Sequence, residues 1–213
     1  MDIQNVLKEL DQLFASKEIQ KVEPFLLQKM DQAKEEQDQQ SLITLLNESI
    51  GFYRDTSQYE KAISCCIEVK DVLHELDMEG TIPYATTLLN IANAYRAAGK
   101  LEDSLTAYTH VFEIYDQQLD SSDFRYASLW NNLSLLYQEI GDFNRAIVSL
   151  EKALEIVVLY PEARIELATT HTNLAASMLK TERWQEAEKH LDIAFSILSR
   201  LSDKRQYISV FPT

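Results

Sequence analysis

Apolar residues recur along the chain at intervals of three and four, the spacing typical of the buried face of an amphipathic helix. Short polar turns separate these stretches, and an aromatic or aliphatic residue follows each turn. These residues stand 40, 42, 42 and 41 positions apart, and they are Ile19, Tyr59, Leu101, Phe143 and Trp184. A constant period of this length indicates an array of repeated helical hairpins, each with a first helix, a tight turn and a second helix.

The turns and the residues after them follow a shared pattern. Three positions after each turn residue the side chain is mostly small, which lets the second helix approach the first closely; these residues are Val22, Ala62, Ser104, Ala146 and Ala187. Gly99 and Gly141 suit a helix C-terminus that needs a left-handed residue. Ser57 and Glu182 occupy the same place without glycine, which we expect to cost stability.

This pattern resembles the tetratricopeptide repeat. The fourth repeat carries the motif most fully, in Trp130, Leu133, Ser134, Tyr137, Gly141, Phe143, Ala146 and Ala153, and the third carries it in Leu88, Ile91, Ala92, Tyr95, Gly99, Leu101 and Ser104. The resemblance covers roughly residues 3–200. The period of about 42 residues, against a usual value of roughly 34, is similar to that of kinesin light chains and of bacterial peptide-binding regulators. The resemblance implies an all-α, right-handed α-α superhelix of about five hairpin repeats.

We place the repeat array at 1–202, with approximate repeats at 1–38, 39–80, 81–122, 123–164 and 165–202, and an irregular tail at 203–213. The last helix carries Leu191, Phe195 and Leu198, which in a solenoid would pack against a following helix. Three interpretations stay open for this end. The tail folds back through Tyr207, Ile208 and Phe211, another chain covers the surface, or the chain is shorter than its relatives.

Three asparagines occupy the same repeat position, which is unusual because asparagine is a poor residue for a helix interior. Asn90, Asn132 and Asn173 lie two positions after the first core residue of their helix, about 200° around it. The resemblance implies that this face lines a concave groove, where amides can pair with the backbone of an extended peptide. The alternative is that each asparagine bonds a neighbouring helix and fixes the stacking. In the second repeat Glu48 takes this position, and Asn47 comes one residue earlier.

Further polar residues near this face are candidates for selecting the side chains of a bound peptide. They are Arg54, Asn93, Arg96, Asn131, Gln138 and Lys180. The cations among them could receive a carboxylate or an acidic peptide segment, or they could be ordinary solvated residues. Asn93 and Arg96 match only fragments of the set that some carboxylate-clamp cochaperone domains carry.

The composition argues against two classes of binding partner. A net charge of −14 opposes binding to nucleic acid or to an anionic membrane. The adjacent Cys65 and Cys66 are typical of core thiols in a reducing compartment, and no apolar run approaches the roughly 20 residues of a membrane span. We expect a cytoplasmic protein without a membrane association.

The sequence carries no motif for catalysis. It has no glycine-rich phosphate loop, no nucleophile turn and no histidine or cysteine cluster with metal spacing. His171 fills a core position and is expected to pack there. We therefore predict no cofactor, no metal and no enzymatic activity. The predicted function is a scaffold or regulator that binds a protein or peptide partner in its groove. The alternatives are a module that forms homo-oligomers through its C-terminal end, and a peptide sensor that changes superhelical pitch.

Overall fold

The computed structural model describes the backbone of residues 1–210 and the side chains of residues 1–201. Ten helices and no strand occur in the described backbone. The first five are α1 Ile3–Ala15, α2 Ile19–Glu35, α3 Gln39–Asp55, α4 Tyr59–Glu75 and α5 Ile82–Ala97. The others are α6 Leu101–Gln118, α7 Phe124–Ile140, α8 Phe143–Val157, α9 Arg164–Lys180 and α10 Trp184–Val210. The predicted all-α fold, with an α-α superhelix of hairpin repeats, is confirmed.

The chain divides into two compact units, Met1–Ile114 (unit 1) and Tyr115–Thr213 (unit 2). In unit 1, α1 packs on α2, α2 on α3, and both α3 and α4 on α5. Leu45, Leu46 and Ile50 of α3 are fully buried in its core. In unit 2, α7 packs on α8, α8 on α9, and α9 on α10.

The predicted small residues lie at the closest approach of paired helices. Ala62, Ser104, Ala146 and Ala187 are fully buried. The hydroxyl of Ser104 on α6 donates to the backbone carbonyl of Ala92 on α5 at 2.8 Å, a distance that requires the two helices to touch. A larger side chain at these positions would overpack the crossing.

The turns adopt the predicted left-handed conformation. Gly141 ends α7 with φ of 86°, and its N–H donates to the carbonyl of Gln138. Ser57 and Glu182 hold φ values of 58° and 61° in the equivalent turns without glycine. A non-glycine residue in this region costs about 1–2 kcal/mol, so these two hairpins form against local strain.

The C-terminal segment differs from its prediction. We expected an irregular tail at 203–213, but α10 continues to Val210, so residues 203–210 are helical. The helix continues because residues 203–210 contain neither proline nor glycine, and Pro212 comes only later. Residues 211–213 and the expected fold-back contacts of Tyr207, Ile208 and Phe211 lie outside the described residues. The five repeat boundaries remain predictions.

Candidate functional site

Two polar clamps join α7 to α9 in unit 2. The side-chain amide of Asn131 donates to Thr170 Oγ1 at 3.0 Å. Two turns further on, Gln138 Nε2 donates to Ser177 Oγ at 2.9 Å. The partners on both helices are seven residues apart, so each clamp bridges the same pair of helix faces. Asn131 and Gln138, predicted to contact a ligand, therefore fix the stacking of the two helices.

A groove of about 240 Å³ runs between α7 and α9. We call it the α7–α9 groove. Its apolar lining is Phe124, Ala127, Leu135, Val157 and Ile165. Its polar lining is Ser128, Asn131, Asn132, Glu166, Thr169 and Asn173. Three of the predicted site asparagines thus line one groove. The apolar lining residues lie beside them, and we call these residues the apolar floor.

Asn132 and Asn173 keep unused hydrogen-bonding capacity in this groove. Both side chains are half-buried. Asn132 Nδ2 donates to the carbonyl of Ser128, one turn back on its own helix, at 2.9 Å, which uses one of its two N–H donors. The side-chain amide of Asn173 has no hydrogen-bond partner among the described residues. An amide offers two donors and an acceptor, so both side chains can bond a ligand without breaking the fold.

In unit 1 the equivalent asparagine is used differently. Asn90 Nδ2 donates to Asn47 Oδ1 on α3 at 2.8 Å. Asn47 in turn donates to Thr87 Oγ1 on α5 at 3.1 Å. The alternative interpretation of the asparagines, a bond that fixes helix stacking, therefore holds for Asn90. Asn47 pairs with Thr87 and Asn131 with Thr170 at spacings of 40 and 39 residues, and this recurring spacing is the signal in the sequence that points to the clamps.

Asn93 was expected on the groove face and is instead buried in its own hairpin. Only 8% of the residue is exposed, and its Oδ1 accepts from the hydroxyl of Tyr108 on α6 at 2.6 Å. At this position of α5 the side chain faces α6. There the amide and the phenol satisfy each other's hydrogen-bonding groups in the core. Asn93 is therefore removed from the candidate binding residues.

The three candidate cations do not line the α7–α9 groove. Arg54 forms an ion pair with its neighbour Asp55 at 2.8 Å. Arg96 is half-buried at the end of α5 and already engaged with other groups. Lys180 is exposed in the last turn of α9. The charged residue that does line the groove is Glu166. The expectation that the cations receive an acidic ligand therefore does not concern this groove and stays a prediction.

A pair of histidines lies between α9 and α10. Nδ1 of His171 and Nδ1 of His190 are 2.7 Å apart, so one ring donates and the other accepts. His171 is 7% exposed, in agreement with its predicted core position. Burial lowers the pKa of both histidines, and the neighbouring His190 lowers that of His171 further. The two rings thus form a neutral hydrogen-bonded pair at neutral pH.

The remaining reactive side chains are in environments that suppress reactivity. Cys65 and Cys66 are buried free thiols. Desolvation raises their pKa values to about 11 and about 12, so both stay protonated at neutral pH. Among the described residues no group of histidine, cysteine and carboxylate side chains could hold a metal ion. None of the helices in the described part of the chain has the length and apolar character needed to span a bilayer.

The outer face of α10 exposes a row of large apolar side chains. Leu191, Phe195 and Leu198 are 44%, 75% and 47% exposed. The repeat period matches Leu191 and Leu198 to Leu150 and Val157 of α8. These two residues are 0% and 1% exposed, and α8 packs against α9. Helix α10 therefore presents a face that its counterpart buries. We call Leu191, Phe195 and Leu198 the α10 face.

Comparison with known proteins assigns these features to one family. The tetratricopeptide repeat profile matches residues 41–117 and 83–157, so the two matches together cover more than half of the chain. A kinesin light chain-related protein of Arabidopsis thaliana, "KINESIN LIGHT CHAIN-RELATED 3", is 23% identical over 170 residues. That match covers 79% of this chain and 26% of the relative. The chain thus spans about a quarter of the length of this curated relative.

Solved structures share the fold. BtubC (BKLC) from P. vanneervenii superposes with a TM-score of 0.79 at 24% identity, over 94% of this chain and 81% of that chain. A Podosopora anserina putative kinesin light chain with nearly identical repeats gives 0.72 at 16% identity, over 94% and 99%. MamA gives 0.60 at 14% identity, over 91% and 96%. At these identities the likeness establishes the fold alone.

Proposed function

Because this chain belongs to the tetratricopeptide repeat family, with repeats of the kinesin light chain type, we propose that it is a non-catalytic scaffold or regulator that holds an extended peptide in the α7–α9 groove. The protein-binding role follows from the family, and we assign it to this groove. In this proposal Asn132 and Asn173 bond the peptide backbone, and the apolar floor receives one of its side chains.

One observation carries the proposal. Asn132 and Asn173 line one groove and keep hydrogen-bonding capacity there, since Asn132 uses one donor within its own helix, whereas Asn131 and Gln138 beside them are bonded between the helices. The clamps hold α7 and α9 at a fixed separation, so the amides of Asn132 and Asn173 are preorganised. Preorganisation lowers the entropy cost of binding. An amide also bonds any peptide backbone irrespective of its side chains, which gives affinity and register, while the apolar floor supplies selectivity.

The ladder differs from the one that the sequence predicted. Asn90 donates to Asn47 within unit 1, so its amide is less available to a ligand. The proposal therefore rests on two asparagines of unit 2. The predicted site cations Arg54, Arg96 and Lys180 have no role in it.

The test is a binding measurement with peptides selected from a displayed library of random decapeptides. The affinity of a selected, fluorescently labelled peptide is measured by anisotropy for the wild type, Asn132→Ala and Asn173→Ala. Each substitution is expected to raise Kd about 5–10-fold, because a net hydrogen bond contributes roughly 1 kcal/mol. Asn144→Ala, an exposed asparagine of α8 outside the groove, is the matched control. Wild-type affinity in both groove variants would contradict backbone capture.

A second candidate function has its own observation. The α10 face exposes side chains whose counterparts on α8 are covered by a helix. A second copy of the chain that covers this face would give a homo-oligomer, the assembly role that we considered from the sequence. Helix α1 exposes the polar residues Gln4, Asn5 and Glu9, and Phe14, at 40%, is its one exposed large apolar residue, so α1 offers no stripe of three such side chains. Pairing of two α10 faces is therefore favoured over head-to-tail growth.

A further inference from the structure

An open pocket of about 390 Å³ adjoins the α7–α9 groove in unit 2. Its lining is Phe124, Tyr160, Glu162, Ala163 and Glu166, and we call it the aromatic–acidic pocket. Phe124 and Glu166 also line the groove. A peptide in the groove can therefore place a neighbouring side chain in this pocket.

The aromatic wall of the pocket is held in place by its own contacts. The rings of Phe124 and Tyr160 are 5.0 Å apart between centroids and meet at 63°, an edge-on arrangement. The Tyr160 hydroxyl donates to the backbone carbonyl of Ser122 at 3.0 Å, which fixes the ring. Both rings are half-buried. The electron-rich face of an aromatic ring attracts a cation within about 6 Å of its centroid.

The acidic wall has no ion-pair partner among the described side chains. Glu162 and Glu166 are exposed, and neither forms an ion pair within residues 1–201. Arg125 pairs with Asp123 at 2.8 Å. Arg164 and Arg200 line an adjoining cavity that shares Tyr160 and Ala163 with this pocket, but neither forms an ion pair with Glu162 or Glu166 among the described residues. A carboxylate near the first turn of a helix is common, but that preference does not account for the two aromatic rings beside it.

We propose that the aromatic–acidic pocket binds the cationic side chain, lysine or arginine, of a peptide whose apolar side chain lies in the α7–α9 groove. This inference rests on the proposed function and adds the ligand class. The rings contact the flat or alkyl part of the cation, and Glu162 and Glu166 neutralise its charge. The same carboxylates repel an acidic segment. The ligand charge proposed here is therefore opposite to the one expected from the candidate cations in the sequence.

The probe for this pocket is N-acetyl-arginine-N-methylamide, with N-acetyl-glutamine-N-methylamide as its neutral counterpart. NMR titration follows the amide of Ala163 and the ring protons of Phe124 and Tyr160. We expect saturable shifts with the arginine probe and at least a 5-fold weaker response to the glutamine probe. Increasing salt should weaken the arginine response, since exposed charge pairs are screened.

Variants decide whether the carboxylates are responsible. The double substitution Glu162→Gln/Glu166→Gln is expected to weaken arginine-probe binding at least 5-fold. Glu155→Gln/Glu188→Gln, which removes two exposed carboxylates outside the pocket, should leave it unchanged. Equal binding of the two probes, or full binding by the pocket variant, overturns the proposal. Circular dichroism confirms that each variant is folded.

The outcome is separable from that of the proposed function. A capped amino acid has too little backbone to bridge Asn132 and Asn173, so Asn132→Ala/Asn173→Ala is expected to bind the arginine probe as the wild type does. If the arginine probe does not bind while the asparagine variants weaken peptide binding, the pocket proposal fails and backbone capture stands. If the arginine probe binds and the asparagine variants do not weaken peptide binding, the pocket proposal stands and backbone capture by asparagine fails.

Discussion

Asn131 and Thr170 bridge α7 and α9 across 39 residues of sequence, with Asn131 Nδ2 3.0 Å from Thr170 Oγ1 and Thr170 Oγ1 3.2 Å from Asn131 Oδ1. Thr170 is fully buried, and its hydroxyl also lies 2.8 Å from the carbonyl of Glu166. The same pairing recurs in unit 1 between Asn47 and Thr87. The bridge sets the spacing of the two helices that form the groove.

Replacement of Asn131 by alanine is expected to lower the free energy of unfolding of unit 2 by about 1–2 kcal/mol, because it removes the bond to Thr170 and the bond to the carbonyl of Ala127. The sequence has two tryptophans, Trp130 and Trp184, and both lie in unit 2, so their fluorescence in urea reports on this unit. A double-mutant cycle with Thr170→Val should show a coupling of about 0.5–1.5 kcal/mol.

The control for this prediction is Asn173→Ala, since the Asn173 side chain has no hydrogen-bond partner among residues 1–201. Its effect on stability should stay within about 0.5 kcal/mol. Equal destabilisation by the two alanine substitutions would mean that Asn173 also fixes the helices, and it would remove this residue from the proposed ligand contacts.

The fold was predictable from sequence because its information is local and repeated. The period places the turns, the small residues mark the helix crossings, and the left-handed turn residues follow from the helix ends. Ser57 and Glu182 in that conformation confirm this interpretation. The continuation of α10 beyond residue 202 was missed because this segment has no counterpart in the other repeats and therefore shows no repeat signal.

The site was less predictable, because three asparagines at one repeat position have three different surroundings. Asn90 finds an acceptor only because Asn47 stands on the preceding repeat. Asn132 turns back to its own helix, and Asn173 has neither partner. Angular position on a helix predicts which face a residue occupies, but the identity of one side chain on the next helix decides whether the amide is used.

Replacement of Glu182 by glycine is expected to stabilise unit 2. Glu182 holds φ of 61° between α9 and α10, where glycine adopts the conformation without a Cβ clash. The relief of about 1–2 kcal/mol is partly offset by the greater freedom of glycine in the unfolded chain, so we expect a net gain of roughly 0.5–1 kcal/mol.

Tryptophan fluorescence in urea measures this change. Glu188→Gly, at an exposed position within α10, is the matched control and should destabilise by about 1 kcal/mol, the usual cost of glycine inside a helix. A loss of stability on replacing Glu182 would show that its side chain contributes more than its backbone strain costs.

The His171–His190 pair makes the stability of unit 2 depend on pH. Burial lowers both pKa values below the ordinary value of about 6.5. The folded state therefore favours the neutral rings, and stability present above about pH 6.5 is lost as pH falls through the folded-state pKa values. A second proton would also place two N–H groups against each other at the 2.7 Å contact.

Urea unfolding of unit 2 at about pH 7.5 and about pH 5.5 should show this loss. The groups that face His190 are Glu186 and Glu151, which favour its charged form, and Arg183, which opposes it. His190→Gln, which can still hydrogen-bond but does not titrate, is expected to reduce the pH difference. His110→Gln, at an exposed histidine of unit 1, should not. An unchanged pH difference in His190→Gln would mean that His190 does not contribute to it.

The α10 face makes a prediction about assembly. Leu191, Phe195 and Leu198 recur at intervals of four and three, so they form one stripe on the helix. The counterparts of Leu191 and Leu198 on α8, Leu150 and Val157, are fully buried, and α8 packs against both α7 and α9. Among the described residues, a second α10 face offers a matching stripe of exposed apolar side chains, whereas α1 exposes Phe14 alone of its large apolar residues.

Light scattering on a size-exclusion column should therefore show a concentration-dependent dimer of the wild type. Phe195→Asp is expected to return the protein to a monomer, since a charge in the centre of an apolar contact is left without a partner. Val158→Asp, which places the same charge on an apolar residue that is 55% exposed elsewhere in unit 2, is the matched control and should still dimerise. A wild type that stays monomeric at high micromolar concentration would exclude self-assembly through this face.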